Sequence, residues 1–386
     1  RRRGCLLAGD PRSFARIVQY PQKEMSFSAV DHGMMARALQ LAERGLWTTS
    51  PNPRVGCVLV RDGEIVGEGW HEKAGEPHAE VHALRAAGDR ARGATAYVTL
   101  EPCSHHGRTP PCADALIDAG VARVVVAMSD PNPLVAGQGL AMLRAAGIET
   151  ASGLLENEAR ELNIGFVSRM TRGRPWLRLK AAASLDGKTA LNNGVSQWIT
   201  GPDARRDGQR WRARACAILT GIGTVRDDDP QLNIREVATT RQPLRVVVDS
   251  KLETPLTARI LQGGPVLVAA AVDDENKANL LRAAGAEVLV LPNAAGKVDL
   301  KELLEELARR GINEVHAEAG FKLNGSLLRE GLVDELLLYL APCLIGHEAS
   351  GLFNLPELAS LDGRRLLQIR DLRQVGADIR LIARLR

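Results

Sequence analysis

Hydrophobic and polar positions along this chain change period repeatedly, and each change predicts an element. The run DHGMMARALQLAERG places Met34, Met35, Ala38, Leu39 and Leu41 on one helical face, with Asp31 as the expected N-cap and Gly45 as the stop. A turn-rich piece, TTSPNPRVG, leads into GCVLVRDGEIVGEGW, two apolar runs around Asp62-Gly63 that predict a hairpin. HAEVHALRAAG then reads as a helix, ATAYVTL as a strand, the segment from Cys112 as a helix and RVVVAMSD as a strand. A Pro/Gly loop, the helix LAMLRAAG, a short strand over 148–151 and one helix over ARELNIGFVSRM complete the series. Alternation of this size predicts a layered α/β domain with a central sheet.

Thr171-Arg172-Gly173-Arg174-Pro175 is the expected domain boundary, and a second alternation follows it. WLRLKAAASL, ACAILTGIG, PLRVVVDS, GPVLVAA, AEVLVLP, EVHAEAG and DELLLYLAP read as buried strands, with LKELLEELARRG as the clearest amphipathic helix. The expected organisation is an extension over 1–27, one domain over 28–172 and another over 173–386. The second half carries no G-x-G-x-x-G after a strand, since Gly221-Ile222-Gly223-Thr224 lacks the third glycine. It does place Glu318-Ala319-Gly320 at a strand end before a helix, where a glycine suits either phosphate approach or a tight turn.

Composition narrows the class. With 386 residues at 45% hydrophobic, the chain can fill two cores, and its longest apolar runs fall far short of a membrane span. Six cysteines without a disulfide-like framework favour a soluble, cytoplasmic protein in a reducing compartment. Cys57 and Cys216 lie in apolar runs and read as small buried hydrophobes. Positions 1–27 hold six basic and two acidic residues, and are expected to be a poorly ordered extension upstream of a start at Met25. The remainder is balanced at 44 of each sign, and aromatics are only 3%, which removes the basic and stacking surfaces expected of a nucleic-acid binder.

The candidate chemistry lies in His78-Ala79-Glu80, Pro102-Cys103 and Pro111-Cys112. One His and two Cys make the three-ligand set of a catalytic zinc site with an open position. Helix starts at His78 and Cys112 favour thiolate, Cys103 falls on the loop leaving a strand, and Glu80 is long enough to move a proton at a zinc-activated water. The zinc-deaminase signature is H-x-E followed by P-C-x-x-C, whereas eight residues separate Cys103 from Cys112 here. His105 or His106 could instead close the site as a fourth, structural ligand.

TTSPNPRVGCVLV, GEPHAEVHAL, VTLEPCSHHGRTPPC and MSDPNPLVAGQG, followed by KAAASLDGKTA, SQWITG, TVRDDDPQLNIR and HAEAG, resemble the RibD family of bifunctional riboflavin-biosynthesis proteins from about Asp31 to the C-terminus. The family's wider cysteine spacing matches the one here. The resemblance implies a cytidine-deaminase-like three-layer domain and a dihydrofolate-reductase-like domain, with Zn2+ and NADPH as cofactors. It also implies two steps on a pyrimidine ribosyl phosphate: loss of the ring amine, then reduction of ribosyl to ribityl.

By the same resemblance, His78, Cys103 and Cys112 are the zinc ligands and Glu80 the proton carrier. Asn52, His71, His105, Arg108, Asp130 and Asn132 shape the deaminase substrate pocket, although Asp130-Pro131-Asn132-Pro133 also reads as a turn by itself. Ala182, Trp198, Thr224, Asp228 and Gly320 contact the cofactor. Ser196, Arg212, Leu232, Arg235 and Glu318 contact the second substrate, with guanidinium suited to a phosphomonoester. Arg212 lies in RRDGQRWRARA, a run that by its charge alone reads as a solvated helix face. Lys180 and Asp186 are polar groups near the first strand's end without an assigned role, and His316 is expected to be a core or surface residue. A homodimer is implied, with no membrane or nucleic-acid partner. The rival reading is a nucleic-acid or free-nucleoside zinc deaminase with a C-terminal binding module.

Overall fold

A computed structural model describes residues 26–104 and 110–385. The expectations for residues 1–25, His105 and Arg108 therefore fall outside the described residues. The first half contains α1 (Ala29–Glu43), β1 (Gly56–Arg61), β2 (Glu64–Trp70), α2 (Ala79–Ala87), β3 (Thr95–Val98), α3 (Cys112–Asp118), β4 (Arg123–Val126), α4 (Gln138–Ala145), β5 (Glu149–Ser152), α5 (Glu156–Leu162) and α6 (Ile164–Arg172). Its five-stranded sheet has the order β2-β1-β3-β4-β5, with β1 antiparallel to both neighbours and β3, β4 and β5 mutually parallel.

The continuous apolar run in β1 follows from burial of both sheet faces. Cys57 and Leu59 pack with Ala83, Leu116 and Leu143 from α2, α3 and α4, while Val58 and Val60 pack with Met35 and Leu39 of α1. That alternation produces three layers. Glycine lets α2 lie hard against β2: a Cβ on Gly69 would stand 2.4 Å from the Ala79 carbonyl oxygen, so this contact fixes where the helix begins.

Two local expectations are corrected. Ser28, not Asp31, caps α1: its side chain accepts from the Asp31 N–H, and the Asp31 carboxylate accepts from the Ser28 N–H, forming a capping box. The single helix expected over ARELNIGFVSRM is two, α5 and α6, parted at Asn163. Asn163 accepts from the Arg54 N–H at 2.8 Å and donates to the Arg54 carbonyl at 2.9 Å, so a tertiary demand for its amide replaces helical continuity.

The second half contains β6 (Trp176–Ser184), β7 (Lys188–Ala190), α7 (Pro202–Arg214), β8 (Ala217–Gly221), α8 (Ile222–Asp228), β9 (Leu244–Val248), β10 (Val266–Ala270), α9 (Glu275–Ala283), β11 (Ala286–Val290), α10 (Leu300–Arg309), β12 (Glu314–Ala317), α11 (Phe321–Arg329), β13 (Glu335–Ala341), β14 (Ser350–Gly351), β15 (Leu367–Val375) and β16 (Asp378–Leu385). Nine strands form one sheet in the order β11-β10-β9-β8-β12-β6-β13-β16-β15. It is parallel from β11 to β13, and β16 joins antiparallel to β13 and β15. Leu177, Leu179, Leu219, Val246 and Val315 supply one core face beneath Leu303, Leu304 and Leu307 of α10.

Helix α7 is not the solvated face its charge suggested. It buries Ala204, Gln209 and Ala213 and turns Arg212 and Arg214 onto carboxylates at the centre of the sheet. Where the two halves meet, fully buried Glu314 accepts from Arg54 of the first half at 2.8 Å, from Arg214 at 2.8 Å and from Arg178 at 3.3 Å. Burial opposes ionisation of Glu314, but the guanidinium groups of Arg214, Arg54 and Arg178 outweigh it and hold the carboxyl well below its ordinary range.

Candidate active sites

The first site sits at the carboxyl ends of parallel strands β3 and β4, where open α/β sheets receive ligands. His78 is the N-cap of α2, one position before the first turn, and Cys112 is the first residue of α3. Cys103 lies on the loop after β3, as expected. His78 Nδ1 is 3.2 Å from Cys112 Sγ and 3.6 Å from Cys103 Sγ, and all three ligand atoms lie within 4.8 Å of one another. A tetrahedral zinc with ordinary bond lengths sets N···S edges of about 3.5 Å, so the donor set fits the ion in chemistry and in size.

The protonation pattern of these groups agrees. Cys103 is pulled down to about 4, first by a hydrogen bond from Cys112, then by His78 and the Cys112 N–H, against burial. The same bond and burial push Cys112 up, and zinc bound there would displace its proton. Glu80 is buried in the first turn of α2, and desolvation raises its carboxyl to about 7 while His78 opposes. It is thus suited to hold and release a proton near neutrality.

His71 donates from Nδ1 to the Pro77 carbonyl (3.1 Å) and accepts at Nε2 from the Asn52 amide (3.1 Å), and its ring meets that of His78 edge-on at 5.4 Å. It ties Asn52 to the residue preceding the metal ligand. Asp130 and Asn132 form a turn in which Asn132 N–H donates to Asp130 Oδ1 at 2.8 Å.

Glu101 was missed in the sequence. Its carboxylate accepts from the N–H groups of Asp130 (3.0 Å), Gly137 (2.9 Å) and Leu140 (3.2 Å), seating that loop beside Cys103. Its place immediately before Pro102-Cys103 was the only available signal. Gly139 serves the same junction, since a Cβ there would come within 2.0 Å of the Pro102 carbonyl oxygen.

The second site lies at the carboxyl ends of β6, β8 and β12. Glu318 follows β12, and both of its oxygens are gripped by Arg212, at 2.5 and 2.9 Å. Lys180 of β6 stands 3.8 Å from Glu318 Oε2, which gives it a place beside this pair. Thr224 in α8 lies against Gly320, the N-cap of α11. Ser196 and Gln197 both reach Asp228 Oδ1, at 3.5 and 3.3 Å, and the adjacent Trp198 ring is 70% exposed with Arg205 stacked on it. Ala182 lies on β6, Leu232 is buried in a left-handed conformation, and Arg235 is exposed with its N–H bonded to Gln209.

Asp186 is fully used by structure. It accepts from Ser184 Oγ and from the N–H groups of Ile345 and Gly346, which hold it down to about 2.

A zinc-deaminase unit and a dihydrofolate-reductase-like unit in one chain define a bifunctional deaminase and reductase. Residues 28–128 match the family model of the cytidine and deoxycytidylate deaminase zinc-binding region, and residues 175–381 match the RibD C-terminal domain. The chain is 52% identical over 363 residues to riboflavin biosynthesis protein RibD of Escherichia coli, covering 90% of this chain and 98% of that one. It is 46% identical to the Bacillus amyloliquefaciens protein of the same name, covering 90% and 95%. The solved structure of Acinetobacter baumannii RibD, form 1, superposes with a TM-score of 0.86 at 47% identity, covering 92% and 99%. That of the diaminohydroxyphosphoribosylaminopyrimidine deaminase/5-amino-6-(5-phosphoribosylamino)uracil reductase from Thermotoga maritima gives 0.82 at 32%, covering 92% and 99%. The chain belongs to the RibD family and is a zinc- and NADPH-dependent enzyme of riboflavin biosynthesis.

Proposed function

We propose that the first site deaminates 2,5-diamino-6-ribosylamino-4(3H)-pyrimidinone 5′-phosphate and that the second reduces the product's ribosyl unit to ribityl. The observation that carries this is the co-occurrence of the His78, Cys103 and Cys112 cluster with the Arg212–Glu318 pair in one chain. Zinc held by those three residues would bring a bound water to a pKa near neutrality. Glu80 would take a proton from that water and deliver it to the departing exocyclic amine, a role suited to its buried carboxyl. Asn52, held by His71, and the Asp130–Asn132 turn frame the ring, with His105 and Arg108 assigned to the same pocket.

In the second site bound NADPH would supply the hydride that reduces C1′. The chain's task there is orientation. Ala182, Trp198, Thr224, Asp228 and Gly320 line the cofactor. Ser196, Arg212, Leu232, Arg235 and Glu318 take the sugar phosphate, where the exposed Arg235 guanidinium offers paired donors to phosphate, Arg212 holds Glu318, and Glu318 accepts from sugar hydroxyls.

The division into two domains falls at Arg172-Gly173, where α6 ends on a left-handed glycine. A homodimer is proposed through β15, the edge strand of the nine-stranded sheet, because Leu367 (41% exposed), Ile369 (60%) and Leu372 (60%) leave it apolar. Among the described residues no helix is long and apolar enough to cross a membrane. The cysteines among them are free, which supports the cytoplasm.

The test is incubation with the diaminopyrimidine ribosyl phosphate and NADPH while following ammonia and NADPH oxidation. Both signals are expected, and a strong zinc chelator should abolish ammonia release from the diamino compound while NADPH oxidation persists when the already deaminated compound is supplied instead. Ammonia without NADPH loss would remove the reductase assignment.

A further inference from the structure

His316 is fully buried on β12, and among the described residues neither ring nitrogen has a hydrogen-bond partner. An imidazole so placed is costly unless a neighbour comes to meet it. It stands two residues before Glu318, which directly follows the strand, so the two side chains lie on the same side of the sheet. His316 Nε2 is 3.5 Å from Glu318 Oε1. The register sets Arg178 of β6 on one side and Ile218 of β8 on the other.

The charged groups facing the ring are Glu318, Arg178 and Lys180. Arg178 is committed to Glu335 at 2.5 Å and Glu314 at 3.3 Å. Lys180 approaches the other carboxylate oxygen, Oε2. Arg212 donates once to each oxygen. Oε1 is also the carboxylate oxygen that approaches the imidazole.

We propose that His316 is a positioning residue of the reductase site: its Nε2–H donates to Glu318 Oε1 and locks the carboxylate from the core side while Lys180 and Arg212 hold its outer side. The inference rests on the reductase reading above. A small rotation of Glu318 shortens the gap to an ordinary hydrogen bond. The imidazole is neutral in this role, because burial disfavours the charged ring. It never touches substrate, and it acts only by limiting where Glu318 can present its oxygens.

The experiment compares His316→Leu and His316→Gln in the full-length zinc-loaded enzyme, varying the deaminated ribosyl phosphate at saturating NADPH. Leu is expected to raise KM for that substrate roughly 10-fold with little change in kcat, the size of one lost hydrogen bond to a charged group. Gln, whose amide can occupy the place of Nε2, is expected to recover most of the loss. Ammonia release by the same preparations should stay at the wild-type rate, which certifies the fold. Unchanged KM in Leu, or equal impairment of Leu and Gln, overturns the proposal.

If the variants do not fold, 15N NMR of the unmodified enzyme decides. A neutral His316 protonated on Nε2 and perturbed by the sugar phosphate is expected, and an Nδ1–H tautomer or a charged ring overturns it. Absence of NADPH oxidation in the unmodified enzyme would instead remove the reductase reading, and the tautomer would still be measured.

Discussion

The two sites occupy equivalent places, the carboxyl ends of parallel strands, yet they are built in opposite ways. The deaminase site gathers its reactive groups from 35 consecutive positions, 78–112, around donors that only a metal would want together. The proposed reductase site draws Lys180, Arg212 and Glu318 from β6, α7 and the end of β12, and its central feature is a half-buried ion pair. A metal selects by donor chemistry, so its ligands must be His and Cys in a fixed array. A sugar phosphate and a nicotinamide are held by shape and generic polar groups, whose identities carry little signal until the sheet brings them together.

This contrast is broken most directly at Glu80. Glu80→Gln is expected to lower deamination by about 10²–10⁴-fold while zinc content and NADPH oxidation on the deaminated substrate persist. Loss of zinc measured by metal analysis would make Glu80 structural. On the other side, Arg212→Met is expected to reduce reductase kcat/KM by about 10²-fold, because it frees Glu318 in a desolvated setting, and to leave ammonia release unchanged. A parallel loss of both activities would mean that the helix serves both halves.

The mildest effect on either activity is expected where the halves join, because the change there acts on stability. Glu314→Gln leaves Arg54, Arg178 and Arg214 without their shared buried anion, and is expected to destabilise the fold by about 3–5 kcal/mol in thermal unfolding. Because the folded carboxyl lies below its unfolded value near 4.5, its stabilisation is present above that pH and is lost as pH falls beneath it. The wild-type Tm should therefore drop more steeply below about pH 4.5 than that of the variant. Equal acid slopes would show that Glu314 is not the responsible carboxylate.

How much was legible follows from the same distinction. His78, Glu80, Cys103 and Cys112 could be singled out by residue type and spacing, and the fold gathers the three candidate ligands within 4.8 Å. Glu101 could not, because its task is to accept backbone N–H groups from a loop about 30 residues away, which leaves no local pattern. The helix break at Asn163 was hidden for the same reason, its amide being engaged with Arg54 across 109 positions.

By itself the sequence determined the alternation of strands and helices, the Asp62-Gly63 hairpin and the metal-binding donor set, all of which depend on period and on chemistry within a short stretch. Only the tertiary structure decided that Arg212 and Arg214 leave an apparently solvated face for half-buried Glu318 and fully buried Glu314, that Glu314 joins the two halves, and that His316 stands behind Glu318. The physical reason is that a charge can be buried only where distant segments bring its partners to it. Such partnerships belong to the packed sheet and have no expression along the chain.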